Sequence, residues 1–199
     1  MSSFDARAKE WDTKDVRVNG ARVIAKSIAK KFILTQDMEI VDFGVGTGLL
    51  GFEIAKRVKR VYGVDTSSGM IEQLKAKNRQ ELSITPIHQD IIKEPLMQSF
   101  DGLVSSMTLH HVEDLERFFA TIYKNIKKGG FIAIADLEKE DGTFHSDNSG
   151  VHHFGFDADV LCEIVQKSGF RDVEIENINT ISKPHGDFGI FLLCAKKEA

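Results

Sequence analysis

Residues 41–51 read VDFGVGTGLLG, an apolar run that breaks into glycines and resumes as helix-forming sequence. Glycines at three alternate positions, 44, 46 and 48, let a backbone turn sharply and approach a ligand closely, because none carries a Cβ. The stretch therefore predicts a strand, a tight turn and a helix, with a cofactor held at the turn. A chain with this unit near its start is constrained to an α/β architecture in which the turn lies at the carboxyl end of a strand.

The rest of the chain repeats the alternation. Val18 to Phe32, with Val23, Ile24, Ser27, Ile28 and Lys31 at helical spacing, predicts an amphipathic helix. MEIVDFG (38–44) predicts the first strand, TGLLGFEIAKRVK (47–59) a helix and RVYGVD (60–65) a second strand closed by Asp65. SSGMIEQLKAKN (67–78) opens on a serine cap and predicts a helix. LSITPIHQD (82–90) reads as an edge strand, because Pro86 has no N–H to give to a ladder. FDGLVSS (100–106) is a fourth strand and DLERFFATIYKNIKK (114–128) a helix capped by Asp114 and ended at the following glycines. FIAIADL (131–137) is a fifth strand and DADVLCEIVQKSGF (157–170) a helix stopped by Gly169. DVEIENI (172–178) and FGIFLLCAKK (188–197) are the last two strands.

Five strands alternating with helices predict a parallel, doubly wound sheet. The last two strands have no helix between them, so they must pair antiparallel as a hairpin at one side. The polar stretch EKEDGTFHSDNSGVHH (138–153) is longer than an idle connection inside a compact domain usually is, and is expected to be functional.

Composition excludes several classes. With 199 residues and a formal net charge of −4, the chain is one domain without the basic excess of a duplex nucleic-acid binder. Cys162 and Cys194 form neither a disulfide framework nor a C-x-x-C site. MSSFDARAKEWDTKD lacks the apolar core of a signal peptide, and no run is apolar enough to span a membrane. The expectation is a soluble cytoplasmic protein.

Two spacings fit the glycine turn. From Gly46, GTGLLG matches the dinucleotide fingerprint G-x-G-x-x-G; from Asp42, DFGVGTG matches D-x-G-x-G-x-G, the nucleotide turn of S-adenosylmethionine enzymes. Asp65, about 20 residues on, suits the ribose hydroxyls of either ligand. Asp42 separates them: a carboxylate there repels a pyrophosphate and suits an ammonium and a sulfonium. No further substrate domain of the kind hydride-transfer enzymes usually carry is expected in these 199 residues, and the terminal strand pair departs from a six-strand dinucleotide sheet.

The residues together resemble class I S-adenosylmethionine-dependent methyltransferases, over nearly the whole chain. VDFGVGTG resembles the family's first motif, GVDTSSGMIEQLK its second, HQDI its third, FDGLVSSMTLHHVED its fourth and KKGGFIAIAD its fifth. HHFGFDADVLCEIVQKSGFRDVEIE resembles the last helix and strand of small-molecule members related to the quinone methyltransferases, and FDARAKEWD resembles their N-terminal lid. The resemblance implies an α/β, Rossmann-like, doubly wound seven-stranded sheet with an antiparallel last strand and helices on both faces. It implies one domain over 1–199: a lid and first helix in 1–35, a cofactor-binding half in 36–137 and a substrate-side half in 138–199.

The implied cofactor is S-adenosyl-L-methionine. Its expected holders are Asp42, Gly44, Gly46 and Gly48, with Asp65 and Thr66 at the ribose, and Met70, Asp90 and Ile91 around the adenine. Ser106, the last residue of the fourth strand, is a further expected holder, and so are Trp11 and Arg17 of the lid with Phe4, Arg17 suiting the methionine carboxylate. Methyl transfer needs alignment and exclusion of water more than functional groups. A base is needed only where the acceptor sheds a proton. The doublets His110–His111 and His152–His153 follow the fourth and fifth strands, and His111 and His153 are expected to face the acceptor as catalytic groups. His145, Asp147, His152 and His153 have metal-ligand chemistry but match no metal-site spacing, and no metal is expected.

The expected partner is a small-molecule methyl acceptor, not nucleic acid and not a membrane. The D/N-P-P-Y/F segment of the DNA amino-methylating enzymes is replaced by Ser105-Ser106-Met107-Thr108; a basic peptide acceptor stays open. The rival readings are a non-catalytic S-adenosylmethionine-binding module and an NAD-dependent oxidoreductase. Phe144, Phe154 and Phe156 are either an apolar lining for the acceptor or core.

Overall fold

The computed structural model describes residues 3–80 and 82–199. One seven-stranded sheet organises them. Its strands are β1 (Glu39–Phe43), β2 (Arg60–Asp65), β3 (Ile84–His88), β4 (Phe100–Ser106), β5 (Ile126–Leu137), β6 (Arg171–Lys183) and β7 (Gly186–Lys196), in the order β3-β2-β1-β4-β5-β7-β6. β1 to β5 run parallel, and β7 is antiparallel to both β5 and β6. The edge position inferred from Pro86 is observed for β3. The strand order reverses between β1 and β4, which opens a crevice at the carboxyl end of β1.

Helices cover both faces. On one lie α2 (Asp15–Lys31), α3 (Leu49–Ala55) and α4 (Ser68–Lys77); on the other lie α5 (Leu115–Asn125) and α6 (Ala158–Lys167). α2 buries Ala21, Ile24, Ala25 and Ile28, an i, i+3, i+4, i+7 stripe. The chain begins with a short α1 (Ser3–Arg7) and a 3-10 turn over Ala8–Thr13. Both α4 and α5 carry the expected caps: Ser67 accepts from Met70 N and Asp114 from Arg117 N.

The boundaries that differ from the sequence reading for a visible reason are those of α3, β5 and the terminal hairpin. α3 stops at Ala55 because Lys56 to Lys59 turn back so that Lys59 N donates to Met38 O at the entry of β2. β5 begins at Ile126, directly after α5, since Gly129 N donates to Lys197 O and Lys197 N to Gly130 O, extending the ladder through the glycines. The terminal hairpin is longer than its apolar cores, and β6 alternates half-buried and exposed positions, as an edge strand must.

Candidate active site

The crevice is built around the turn at 44–48, and its glycines do different work. A Cβ on Gly44 would overlap the Thr108 side chain, and one on Gly48 would lie 2.6 Å from Leu74 Cδ1. Those positions are glycine for packing. A Cβ on Gly46 would meet nothing nearer than Met70 Sδ at 4.0 Å, so Gly46 faces open space and forms the cradle. All three have positive φ, the region glycine enters without penalty.

Asp65, at the end of β2, fixes the cradle. Its Oδ2 accepts from Gly46 N at 2.8 Å and its Oδ1 from Ser67 N at 2.8 Å. A carboxylate has about four lone-pair sites, so it keeps acceptor capacity for a ligand beside these amides. Burial raises Asp65 above the ordinary carboxylate range, and the Ser67 and Gly46 amides oppose that rise.

Asp42 lies elsewhere than expected. It is 1% exposed, points against Gly51 of α3, and its Oδ2 has no hydrogen-bond partner among the described residues. Burial, and then the charge of Asp65, push its pKa well above the usual value. It sits behind the cradle rather than in it. Met70 is buried, with its sulfur under Gly46, and so supports the turn from below.

Thr66 and Asp90 line an open depression of about 400 Å³ with His88, Gln89, Lys93 and Glu94. His88 Nε2 donates to Thr66 O at 3.0 Å. Burial acts to raise Asp90, but the Lys93 ammonium and the Ile92 and Lys93 amides outweigh it and leave it below the usual range. Ile91 is buried in the core beside it. Ser106 ends β4, where Thr108 Oγ1 bridges to Ser106 O at 3.2 Å and Gly44 O at 3.4 Å. Met107 between them holds a positive φ of 56°, backbone strain of the kind that clusters at functional crevices.

The N-terminal segment is docked over this crevice. Ser67 Oγ and Gly69 N donate to Asp5 Oδ1 at 2.7 and 2.9 Å. Thr47 Oγ1 donates to Asp12 Oδ1 at 2.5 Å, and Lys77 Nζ reaches Asp12 Oδ2 at 2.6 Å. Phe4 packs edge-on to His111 at 5.2 Å and lies 6.0 Å from Trp11. Arg17 stacks over Trp11 at 3.7 Å and donates to its carbonyl at 3.1 Å, so the two lid residues clamp each other. Burial and then Arg7 lower the Arg17 pKa.

Beyond the turn stands a histidine cluster. The rings of His110 and His111 are 4.1 Å apart, His110 and His145 4.9 Å, and His111 and His145 6.1 Å. His111 Nδ1 donates to Gly150 O at 2.7 Å. Burial, then His110, lowers the His111 pKa. His153 is placed differently from its expected role: its Nε2 donates to Val112 O at 2.9 Å and its ring rests on Phe156, fastening the 138–153 loop to the Leu109–His111 turn. Phe144 and Phe156 are buried, and Phe154 is 45% exposed. Among the described residues no group of three or more His, Cys, Asp or Glu has a metal-holding arrangement.

Sequence reasoning missed Asp136 and its pairing with His110, and weighed His145 only as a metal ligand. His110 and Asp136 are 1% and 0% exposed and pair at 2.7 Å. The available signal was an aspartate inside the otherwise unbroken apolar run FIAIADL, close to a histidine doublet.

The His145 pKa is pushed down to about 4, first by burial, then by His110, His111 and Lys183. An unfolded histidine titrates near 6.5, so the unfolded chain takes up this proton first as pH falls. His145 thus contributes stability that is fully present above about pH 6.5 and lost as pH falls toward about 4. Between pH 7 and 5 the melting temperature of the wild type should drop further than that of His145→Gln. Parallel slopes in a melting series would refute this.

The comparisons agree with this geometry. A family model described as a methyltransferase domain matches residues 41–134. An uncharacterized methyltransferase of Bacillus mycoides is 34% identical over 145 residues, 68% of this chain and 68% of that protein. One from Schizosaccharomyces pombe is 29% identical over 157 residues, 69% of this chain but 55% of its own length. Among solved structures, the DhpI–SAH complex superposes with a TM-score of 0.76 at 18% identity, covering 98% of this chain and 93% of that one. Phosphoethanolamine N-methyltransferase 2 of Haemonchus contortus, in complex with S-adenosyl-L-methionine, has a TM-score of 0.72 at 19% identity, covering 100% of this chain and 61% of that one. The chain thus spans little more than half of some relatives it matches. With its turn, its sheet order and these matches, the chain belongs to the class I S-adenosylmethionine-dependent methyltransferases.

Proposed function

We propose that this chain transfers a methyl group from S-adenosyl-L-methionine to a small-molecule acceptor by in-line displacement. The observation that carries this reading is the open face of Gly46, tied to Asp65, at the switch point of the sheet and beneath a docked N-terminal segment. Gly46 leaves the space a Cβ would fill, and Asp65 keeps lone pairs for two ribose hydroxyls, so the residues fit the family's cofactor. When bound, the cofactor supplies an electrophilic methyl group on its sulfonium.

The chain's own contribution is placement and exclusion of water. Gly44, Gly46 and Gly48 shape the cradle, Asp65 and Thr66 take the ribose side, and Asp90 with Ile91 borders the adenine side. Met70 holds the turn from below. Asp42, buried behind the cradle against Gly51, packs the turn against α3. Ser106 lines the inner wall. Trp11 and Arg17 stiffen the lid as a stacked pair, and His111, under Phe4, faces the acceptor side. The lid and the 138–153 loop enclose that side, which favours a small acceptor over a macromolecule.

The test is incubation with methyl-labelled S-adenosylmethionine and separate pools of small metabolites, proteins and nucleic acids. Label in the small-molecule pool supports the reading. Label confined to protein or nucleic acid overturns the acceptor class, and absence of label in every pool favours a non-catalytic binding module.

The lid contributes through retention. Removing both Asp5 and Asp12 deletes four hydrogen bonds to Ser67, Gly69, Thr47 and Lys77. At roughly 0.5–1.5 kcal/mol each and partial compensation by water, dissociation should quicken about tenfold or more. Stopped-flow measurement on Asp5→Ala/Asp12→Ala should show that change in a variant that still unfolds cooperatively, with a melting temperature lower by a few degrees. An unchanged off-rate would remove the segment from cofactor retention.

A further inference from the structure

Asp136 lies one residue from the end of β5, buried in the sheet. It accepts three hydrogen bonds: Leu137 N to Oδ1 at 2.7 Å, His110 N to Oδ2 at 3.2 Å, and His110 Nδ1 to Oδ1 at 2.7 Å. An ionised carboxylate only accepts. The proton of a neutral His110 must therefore sit on Nδ1, which leaves a lone pair on Nε2. That Nε2 is fully buried and has no hydrogen-bond partner among the described residues. A carboxylate that fixes an imidazole as its Nδ1–H tautomer, with a bare Nε2 opposite, is the arrangement that makes histidine a directed base.

The surroundings define what reaches that lone pair. The His145 ring, carried by the irregular 138–153 loop, lies 4.9 Å from the His110 ring, and its own Nε2 is likewise unpartnered among the described residues. Phe144 packs edge-on to His145 at 4.8 Å, and Phe4 edge-on to His111 at 5.2 Å, so the walls are aromatic. Asp136 is on the Nδ1 side of the His110 ring with both oxygens already engaged. Burial, the neighbouring histidines and Lys183 all act against positive charge on His145, and Asp136 opposes them only in part. An ammonium is disfavoured there. A thiol or carboxylic acid ionises with little or no help near neutrality, whereas a hydroxyl with a pKa near 10 needs a base.

We infer that His110, oriented by Asp136, is the proton acceptor of the methyl transfer and that the acceptor is a phenolic or enolic hydroxyl on a flat, largely apolar molecule. This rests on the methyltransferase reading above. As the hydroxyl enters, displacing the His145 ring, its proton passes to His110 Nε2. Its oxygen lone pair forms the new bond to the methyl carbon, the carbon–sulfur bond breaks with its electron pair going to sulfur, and S-adenosylhomocysteine and the methyl ether leave. The imidazolium then returns its proton to water. His110 is the catalytic residue and Asp136 its positioning residue.

The test joins labelled-histidine nuclear magnetic resonance with methyl transfer to phenol and catechol, using benzylamine and thiophenol as comparators of similar size. His110→Asn keeps a donor for Asp136 and deletes the base. Asp136→Asn can donate to Nδ1 and so move the ring proton to Nε2. The expected spectrum shows the Nδ1–H tautomer in the wild type, an Nε2 resonance that shifts on adding catechol, and the opposite tautomer in Asp136→Asn.

Both variants should bind S-adenosylmethionine within about twofold of wild type and transfer to hydroxyl acceptors at least about 100-fold more slowly. An Nε2–H tautomer in the wild type, an Nε2 blind to both hydroxyl probes, wild-type turnover in His110→Asn, or methylation of only the amine or thiol overturns the proposal. Loss of cofactor binding by the wild type would instead overturn the methyltransferase reading. Should Asp136→Asn fail to fold, His110→Asn and the wild-type spectra decide.

Discussion

Asp65→Ala is expected to weaken S-adenosylmethionine binding at least about 100-fold. Asp65 holds the Gly46 and Ser67 amides at 2.8 Å each, so it sets the shape of the cradle as well as offering lone pairs to a ribose. Hydrogen bonds to a charged group contribute roughly 1.5–3 kcal/mol each, and 1.4 kcal/mol is a factor of ten in affinity. Removing two hydrogen bonds to the ribose therefore gives the stated factor before any loosening of the turn. Asp65→Asn should fall between, since its amide oxygen can accept from one backbone N–H while its NH2 faces the other. Calorimetric titration of both variants checks this. An Asp65→Ala affinity within threefold of wild type would mean that the cofactor does not use the end of β2.

Asp136→Ala should be the most destabilising single change at the mouth of the site. It leaves Leu137 N, His110 N and His110 Nδ1 without their acceptor inside the sheet, where none of them meets water. An unsatisfied buried donor costs about 1–3 kcal/mol, so the variant should lose about 3 kcal/mol or more. That is a large share of the roughly 5–15 kcal/mol a domain has in total. Denaturant unfolding would show it as a lower midpoint at unchanged slope. A loss below about 1 kcal/mol would mean that water enters and replaces the carboxylate.

Much of this was legible from the letters because the governing physics is local. Glycines at alternate positions after an apolar run, a serine before a helical run, and a proline inside a strand each act within a few residues, and each led to the observed turn, cap or edge. The antiparallel terminal pair followed from chain connectivity alone. Less legible were features fixed by packing between distant segments. Gly44 and Gly48 answer to Thr108 and to Leu74 of α4, and neither neighbour is visible in the turn itself.

The histidine doublets show the same limit. Sequence alone does not say which of two adjacent side chains turns inward after a strand; the direction is set here by Asp136 of the neighbouring strand. His153 was expected at the acceptor, but a carbonyl 41 residues away takes its proton-bearing nitrogen. Asp42 was expected to reach the cofactor, yet strand alternation directs it toward α3 rather than into the crevice, against Gly51.

The most direct test of the account is calorimetric titration of the wild-type chain with S-adenosylmethionine, S-adenosylhomocysteine and NAD in parallel, repeated with Gly46→Val. The account predicts binding of both sulfur ligands, silence with NAD, and loss of binding in Gly46→Val, whose side chain fills the cradle. Binding of NAD alone, or undiminished binding of S-adenosylmethionine by Gly46→Val, would contradict it.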